Sequence, residues 1–273
     1  MRTPNADTAP HNLGHKRCER MRRLLALLAA CSPGDAPLTL DELVAELGVS
    51  KATLRRDLAQ LEDAHTVVRT HGGVRAGVDG VSEVPLRLRT QASLAKRAIA
   101  QAAAQLIPCG APHTLAVCGG TTATEVVRAL RRRRELTLIT NALPIAAEAA
   151  AWSDMRVVIA GGLVRAHSLE AVGPLSEAAF NSFTFATAIL GADGVSSEHG
   201  VTTQNEIEAR TNHAMVRHAR RVIVVADATK IGRVTRAQLA HMAEVHDLVT
   251  DAQADAEELS LIRAAGVHVH VAC

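Results

Sequence analysis

Beyond residue 93, short apolar runs alternate with helical segments, and this alternation restricts the fold more than any other feature. Each run is rich in Val, Ile, Leu or Ala, and polar turn residues follow most of them. Such an alternation is typical of a parallel or mixed sheet with helices on both faces. The predicted strands are 115–118, 136–140, 157–160, 186–190, 222–226, 248–250 and 267–271. The predicted helices are 94–106, 122–134, 144–151, 176–180 and 206–219.

The segment before this domain has the pattern of two short helices joined by a tight turn. Thr39 and Glu42 have the spacing of a capping box, which opens a helix. Gly48 can end that helix in the left-handed conformation, and Ser50 can cap the next one. Apolar residues follow at helical spacing in both helices: Leu40, Leu43, Val44 and Leu47, then Leu54, Leu58 and Leu61. The pattern predicts a helix-turn-helix whose basic side chains face outwards.

A small basic hairpin is predicted directly after the second helix. Apolar and polar residues alternate over 67–75, and Gly72 and Gly73 allow a tight turn. An exposed basic helix beside such a hairpin fits the phosphates and base edges of duplex DNA. A charged helix that only packs on its own domain is the alternative. The predicted DNA-contacting residues are Ser50, Lys51, Thr53, Arg55, Arg56, Arg69, His71, Gly72, Gly73 and Arg75.

The distribution of charge supports the DNA-binding interpretation. Residues 1–75 carry eleven basic and nine acidic side chains, so this segment accounts for the whole net charge of +2. The chain has one Trp and no Tyr, which argues against the base stacking that RNA and single strands require. The spacing of its histidines indicates no metal site, and we expect no cofactor.

Composition also bears on the cellular compartment. Five cysteines without a CxxC pair suit a reducing cytosol, and no apolar stretch reaches the roughly 18 residues of a membrane span. Residues 21–31 have the basic start, apolar run and Leu-Ala-Ala-Cys end of an export signal. The same leucines can instead form the first helix of the DNA-binding domain by packing on Leu43, Leu47 and Leu58. We therefore expect a cytoplasmic protein.

Polar turns follow several of the predicted strands. In an open parallel sheet, ligands bind at the carboxyl ends of the strands, where helix N-termini favour anions. The turn 119–122, Gly-Gly-Thr-Thr, can cradle a phosphate, although a simple tight turn also explains it. Comparable turns at 140–141, 161–162, 193–194 and 227–230 follow other strands and predict a shared polar pocket.

The N-terminal motif resembles the winged helix of DeoR-type bacterial transcriptional regulators. The matching residues are Leu43, Leu47, Val49, Ser50, Thr53 to Leu58, Leu61, Glu62, Arg69 and His71 to Gly73. The strand-end turns and Lys96 resemble the family's C-terminal effector domain, which is similar in fold to ribose 5-phosphate isomerases and is thought to sense phosphorylated sugars or related compounds. The resemblance implies that Gly120, Thr121 and Thr122 bind phosphate. The positions that it implies around the rest of the effector are Asn141, Gly161, Gly162, Asp193 and Lys230.

The chain departs from the family pattern at three positions of the effector domain. Many relatives carry Lys and then Arg where this chain has Asn212 and His213, and many carry Asp where it has Ala186. The missing ammonium at Asn212 either weakens a sugar-phosphate contact or changes the ligand.

The resemblance implies a two-domain transcriptional regulator. The expected fold class is α/β, with a winged helix-turn-helix domain followed by a Rossmann-like parallel or mixed sheet. We expect a tail over 1–15, the DNA-binding domain over 16–76, a linker over 77–92 and the effector domain over 93–273. The expected function is repression of a carbohydrate or polyol operon. Its expected partners are double-stranded operator DNA and a phosphorylated sugar or related metabolite.

Two further expectations concern assembly and an alternative function. Two copies of a helix-turn-helix normally contact symmetric half-sites, so we expect a homo-oligomer, either a dimer or a tetramer. The alternative function is a sugar-phosphate isomerase-like enzyme with a DNA-binding appendage. Asp193, Glu206 or Glu208 would serve as its general base, and the lack of a lysine at Asn212 weakens this alternative. We therefore expect a regulator that is not an enzyme.

Overall fold

The computed structural model describes residues 20–21, 23–28, 31, 36–63, 66–70, 72–76 and 94–272. The chain divides into two compact units, Met1–Gln91 and Ala92–Cys273. His71, the expected tail and the expected linker lie outside the described residues. Within the described ranges, no helix is both long enough and apolar enough to cross a membrane.

The first unit has the predicted order of helices and hairpin. Its described elements are α1 (residues 20–21 and 23–28), α2 (Leu40–Leu47), α3 (Lys51–Asp63), β1 (Val67–Thr70) and β2 (Gly73–Ala76). Thr39 and Glu42 form both hydrogen bonds of the predicted capping box, and Gly48 ends α2 with a φ of 65°. The Ser50 hydroxyl accepts a hydrogen bond from the Thr53 amide at 3.2 Å. The helix-turn-helix therefore begins and ends at the residues whose side chains can cap it.

A leucine-rich core holds the first unit together. It joins α1, α2 and α3 through buried side chains: Met21, Leu24, Leu25, Leu28, Leu43, Leu47, Leu54, Leu58 and Leu61. Arg20 pairs with the buried carboxylate of Asp57 at 2.6 Å and ties α1 to α3. The leucines of residues 24–28 thus pack as a first helix, as their spacing predicted.

A single backbone bridge joins the hairpin to Leu38, just before α2. Leu38 and Val74 exchange two backbone hydrogen bonds, of 3.1 and 2.9 Å. This contact requires glycine at position 73, because a Cβ on Gly73 would lie only 2.2 Å from the Leu38 carbonyl oxygen. One of the two predicted turn glycines is therefore needed for a close backbone approach.

The second unit is built on a seven-stranded parallel sheet. In spatial order its strands are β14 (His268–Ala272), β13 (Asp247–Asp251), β11 (Val222–Val225), β8 (Thr187–Gly191), β3 (His113–Val117), β4 (Leu136–Thr140) and β5 (Met155–Ile159). Shorter antiparallel strands accompany it: β6 (Leu163–Val164) with β7 (Ala171–Val172), and β10 (Gly200–Thr203) with β9 (Gly194–Ser196) and β12 (Ala237–Ala240).

Helices cover both faces of the seven-stranded sheet. They are α4 (Leu94–Gln105), α5 (Thr121–Ala129), α6 (Leu143–Ala149), α7 (Pro174–Asn181), α8 (Glu206–Arg217) and α9 (Ala256–Ala264). Side chains of α4, α5 and α6 pack in one hydrophobic cluster, and those of α7, α8 and α9 in another. In β8, Ala188 and Leu190 belong to one cluster and Ile189 to the other, as strand alternation requires. The predicted α/β fold class is confirmed.

All seven predicted strands occur in this sheet, with shifts of at most two residues at their ends. The prediction of a helix over 122–134 was wrong at its end, because α5 stops at Ala129. Leu130 is the last buried apolar residue there, and the arginines at 131–134 lie in the turn that leads to β4. Helix α9 and strands β6, β7, β9, β10 and β12 were not predicted. The strands have only two to four residues each, too few for a periodic pattern.

A charge cluster lies at the amino end of β13, on the edge of the sheet opposite the strand-end turns. Arg221 donates to both oxygens of Asp247, at 2.6 and 2.8 Å, and His270 Nε2 lies 2.8 Å from one of them. Burial alone would raise the pKa of Asp247, but the hydrogen bonds from Arg221 and His270 outweigh it. They hold this pKa below its ordinary value of 3.8.

We expect Asp247→Asn to lower the free energy of unfolding at pH 7 by about 1 to 3 kcal/mol, because Arg221 loses its charged partner. The folded-state pKa of Asp247 is depressed, so its carboxylate stabilises the fold above pH 3.8. That contribution is lost as the pH falls through the lower folded-state pKa. Urea unfolding measures the free energy of unfolding of both proteins at pH 7 and in this acid range. The difference between variant and wild type should become smaller as the pH falls.

The matched control for this experiment is Glu148→Gln. Glu148 pairs with Arg128 at 2.7 Å, but both side chains are partly exposed, so the loss should be about 0 to 1 kcal/mol. If the free energy of unfolding depends on pH in the same way in the wild type and in Asp247→Asn, the role given to Asp247 is contradicted.

Candidate functional site

Helix α3 exposes its basic side chains. Its leucines are buried in the core of the first unit. Ser50, Lys51, Arg55 and Arg56 are exposed on its other faces, while Thr53 is half-buried. Lys51 Nζ lies 2.5 Å from an Asp41 oxygen, but both side chains are exposed, so the pair is weak. The first turns of α3 thus present three cations and the helix N-terminus on one accessible surface.

The hairpin is connected to α3 through Arg69. Its Nη2 donates to the Arg55 carbonyl at 3.2 Å, and its Nε lies 3.0 Å from a Glu62 oxygen. Arg69 therefore holds the hairpin against α3, and a contact with DNA phosphate would share or replace these bonds. Gly72 and Arg75 are exposed.

The turn after β3 leads directly into α5 and lies next to a cation. Gly120 is the N-cap residue of α5 and gives its first amides no side-chain cap. Lys96 of α4 donates from Nζ to the Thr121 hydroxyl at 2.9 Å, and Thr122 is buried. Helix N-terminal amides, hydroxyls and an ammonium are groups that bind phosphate in proteins. The arrangement therefore suits an anionic ligand.

A chain of buried hydrogen bonds starts at the neighbouring Gly119. Its amide donates to Glu170 Oε1 at 2.6 Å, and Asn212 Nδ2 donates to the same oxygen at 3.3 Å. Asn212 Oδ1 accepts from Asn141 Nδ2 at 3.0 Å. Burial raises the pKa of Glu170, while the hydrogen bonds from Gly119 and Asn212 act in the opposite direction. Asn141 Oδ1 is buried and has no hydrogen-bond partner among the described residues, so the network contains an unused acceptor.

Two carboxylates and two cations form a second network at the strand ends. Lys230, after β11, lies with its Nζ 3.5 Å from Asp193, after β8. The Thr203 hydroxyl lies 3.1 Å from Asp193 and 3.2 Å from Glu208. Arg165 pairs with Glu208 at 2.5 Å. These side chains offer both donors and acceptors to a polar ligand.

Comparison with known proteins assigns the chain to a family. Residues 35–77 match the model of the DeoR-like helix-turn-helix domain, and residues 91–252 match that of the DeoR C terminal sensor domain. The chain belongs to the DeoR family. It is 35% identical over 252 residues to the HTH-type transcriptional regulator GlpR of Haloferax volcanii, covering 92% of this chain and 96% of that protein. It is 30% identical over 215 residues to the glycerol-3-phosphate regulon repressor of Escherichia coli, covering 79% of this chain and 84% of that protein.

The protein is thus a transcriptional regulator, as the resemblance predicted. These relatives, matched over most of their length, are named as a regulator and a repressor, which favours this function over the isomerase-like enzyme. Ribose 5-phosphate isomerase A of Neisseria gonorrhoeae is 17% identical, with a TM-score of 0.38 over 52% of this chain and 53% of its own. A likeness this distant carries no argument about activity.

The structure groups the predicted effector residues of this DeoR-family chain in different ways. Gly120, Thr121 and Thr122 lie at the start of α5, Asn141 belongs to the buried amide network, and Asp193 pairs with Lys230. The two remaining residues make contacts near α7. The Gly161 carbonyl accepts from the Ser176 hydroxyl at 2.7 Å, and Gly162 packs closely against Ser176 and Val172.

Some network residues were not among the predicted effector contacts. They are Lys96, Arg165, Thr203 and Glu208. For Glu170 the sequence left two alternatives open, a contact with ligand hydroxyls or a role in its loop. Lys96 matches the family pattern and could have been assigned from it. The others lie in loops, in a short strand or on a helix, where no strand-end pattern marks them. Only the fold brings these residues close to the strand-end turns.

Two of the three departures from the family pattern lie at opposite edges of the sheet. Asn212 is buried between Glu170 and Asn141 and belongs to the hydrogen-bond network that reaches the turn after β3. Ala186 instead precedes β8 at the amino edge of the sheet, where its amide donates to the Thr114 carbonyl at 3.0 Å. The predicted polar turns follow the strands at the carboxyl edge. The departure at Ala186 is therefore remote from these turns, whereas the one at Asn212 lies beside them.

Gly161 and Gly162 provide a test of the packing beside α7. A Cβ on Gly162 would lie 2.4 Å from Ser176 Oγ and 2.8 Å from the Val172 carbonyl oxygen, whereas one on Gly161 would meet nothing within 4 Å. We expect Gly162→Ala to lower the free energy of unfolding by about 1 to 3 kcal/mol, because an overpacked contact must shift. Gly161→Ala should change it by less than about 0.5 kcal/mol. Equal losses in urea unfolding of the two variants would refute this assignment.

Proposed function

We propose that this DeoR-family regulator represses a carbohydrate or polyol operon and that a phosphorylated small molecule controls its affinity for operator DNA. The observation that carries this proposal is the contact between Lys96 and Thr121 at the N-terminus of α5, beside a buried network of hydrogen-bond acceptors. An anion site next to acceptors suits a phosphorylated sugar or polyol. The E. coli relative is named for a glycerol-3-phosphate regulon, which supports the same class of effector.

The proposed DNA interface consists of α3 and the hairpin. Arg55 and Arg56 are the proposed base and phosphate contacts, because they are exposed beyond the first turn of α3. Further phosphate contacts are proposed for the other residues predicted from the sequence, through side chains or, at the glycines, through backbone amides: Ser50, Lys51, Thr53, Arg69, His71, Gly72, Gly73 and Arg75. Half-sites read by a helix-turn-helix are normally related by two-fold symmetry, so we propose a homo-oligomer, a dimer or a tetramer.

The proposed domain boundaries separate the DNA-binding residues from the effector-binding residues. Residues 16–76 would bind DNA, 77–92 would link the domains, and 93–273 would bind the effector, with a tail over 1–15. Since operator DNA lies in the cytoplasm of a prokaryotic cell, we propose that the protein acts there. The effector can shift operator binding only if it binds the DNA-competent and DNA-incompetent states with different affinity.

Arg55→Ala and Arg56→Ala should each weaken operator binding by about 1 to 3 kcal/mol, because each removes an exposed cation from α3. Fluorescence anisotropy with an operator duplex selected from a random library measures this change. Titration at several salt concentrations separates the contacts, since loss of one phosphate contact reduces the salt slope by about one.

The control for this pair is Arg263→Ala, which removes an exposed cation from α9 in the second unit. Its operator affinity should match that of the wild type. If Arg55→Ala and Arg56→Ala also retain full affinity, α3 is not the DNA-contacting helix.

A thermal-shift screen tests the class of effector. Phosphorylated sugars and polyols should raise the melting temperature, whereas the unphosphorylated parents should not, because binding to the native state stabilises it. The proposed class of effector is contradicted if no phosphorylated compound raises the melting temperature.

Thr121→Ala should remove both the thermal shift and the effect of the hit compound on operator binding, because the variant loses the hydroxyl that Lys96 contacts. Thr184→Ala, which removes an exposed hydroxyl near the amino edge of the sheet, is the matched control and should respond like the wild type. A normal response in Thr121→Ala would exclude this turn from the effector site.

A further inference from the structure

Glu170 places a buried negative charge beside the proposed phosphate site. The residue is 2% exposed, and its Oε1 accepts hydrogen bonds from the Gly119 amide at 2.6 Å and from Asn212 at 3.3 Å. The fit is close, since a Cβ on Gly119 would lie 2.6 Å from the Glu170 side chain. The first amide of the 119–122 turn is therefore occupied by an anion of the protein itself.

The backbone before Glu170 holds this geometry. Leu169 has a φ of 56°, in the left-handed region that a leucine rarely adopts. Its amide donates to the Arg165 carbonyl at 2.8 Å, and its carbonyl accepts from the Leu143 amide at 3.0 Å. Uncommon backbone conformations that surrounding bonds enforce are concentrated in functional loops. Here the conformation fixes the direction in which the chain enters Glu170.

The side chain at position 212 leaves the charge of Glu170 without an ammonium. Asn212 contributes a neutral amide, which donates to Glu170 without adding a positive charge. Arg165 also acts on Glu170, but it is bound to Glu208, which carries a negative charge of its own. A lysine at this position would neutralise Glu170 and attract an anion. With asparagine, a ligand that extends past Gly119 meets acceptors and negative charge.

We propose that Glu170 and Asn212 make this protein select effectors whose group distal to the phosphate is a hydroxyl, and reject those with a second anionic group there. The inference rests on the proposed phosphate site at the start of α5. A hydroxyl can donate to the Glu170 carboxylate or to the unpartnered Asn141 Oδ1. A carboxylate would face a like charge where burial weakens screening, and it would leave Asn141 Oδ1 unsatisfied.

Two matched pairs of ligands test this selectivity. Glucitol 6-phosphate differs from 6-phosphogluconate, and glycerol 3-phosphate from 3-phosphoglycerate, in a hydroxymethyl group that is replaced by a carboxylate. Calorimetry measures the affinity of each compound for the full-length wild type, Glu170→Gln and Asn212→Lys. The control is Glu257→Gln, which removes an exposed carboxylate from α9.

The wild type and Glu257→Gln should bind the alcohol of at least one pair at least about tenfold more tightly than the acid, because juxtaposed like charges are strongly unfavourable. Glu170→Gln removes the charge and Asn212→Lys offsets it, so both should bring the ratio of affinities close to one. If Glu170 had a purely structural role, Glu170→Gln would bind both ligands of a pair more weakly, and the ratio of their affinities would not change. If Glu170→Gln does not fold, Asn212→Lys decides, because it retains the carboxylate.

An unchanged ratio in these variants, or a wild type that binds acid and alcohol equally, would overturn the selectivity of Glu170 and Asn212 while leaving the phosphate site in place. Failure of all four compounds to bind any variant would instead contradict the proposed effector class, and this inference with it. The two failures are therefore distinguishable in one set of titrations.

Discussion

Parallel pairing of the seven strands is the constraint on which the second unit depends. Each helical crossover returns the chain to the same edge, so the carboxyl ends of β3, β4, β8 and β11 lie on one side of the sheet. The polar turns after these strands supply Thr121, Asn141, Asp193 and Lys230. The opposite edge carries the ion pair of Asp247 instead. One topology thus places the residues that we propose as effector contacts at one edge of the sheet and the ion pair of Asp247 at the other.

The buried network around Glu170 holds polar groups that a structural core would avoid. A buried carboxylate costs free energy because it loses its hydration, and Glu170 recovers part of this cost through hydrogen bonds from Gly119 and Asn212. Among the described residues, Asn141 Oδ1 has no hydrogen-bond partner. Partly satisfied networks are poor for stability but suited to recognition, since a ligand hydroxyl can complete them. In the selectivity that we propose, position 212 matters because its amide adds no positive charge beside Glu170.

Local features of the sequence predicted much of the fold. The capping residues Thr39 and Ser50 and the left-handed Gly48 act within a few residues of their partners, so the helix-turn-helix could be placed closely. The seven strands were found because each contains a short run rich in apolar residues, which is nearly continuous and buried in the central strands β8 and β11. The end of α5 was misplaced, since arginine has a good helical propensity and nothing local marks Leu130 as the last buried residue.

The sequence by itself determined the helix-turn-helix, the seven strands of the large sheet and the family, because caps, apolar runs and motif spacing are properties of neighbouring residues. Only the tertiary structure decided which distant side chains meet. Glu170 contacts the Gly119 amide 51 residues away, and Asn141 contacts Asn212 across 71 residues. The order of strands in the sheet sets these distances, and that order depends on the packing of the whole unit. For the same reason, only the fold could place Asn212 beside Glu170 and Ala186 at the opposite edge of the sheet.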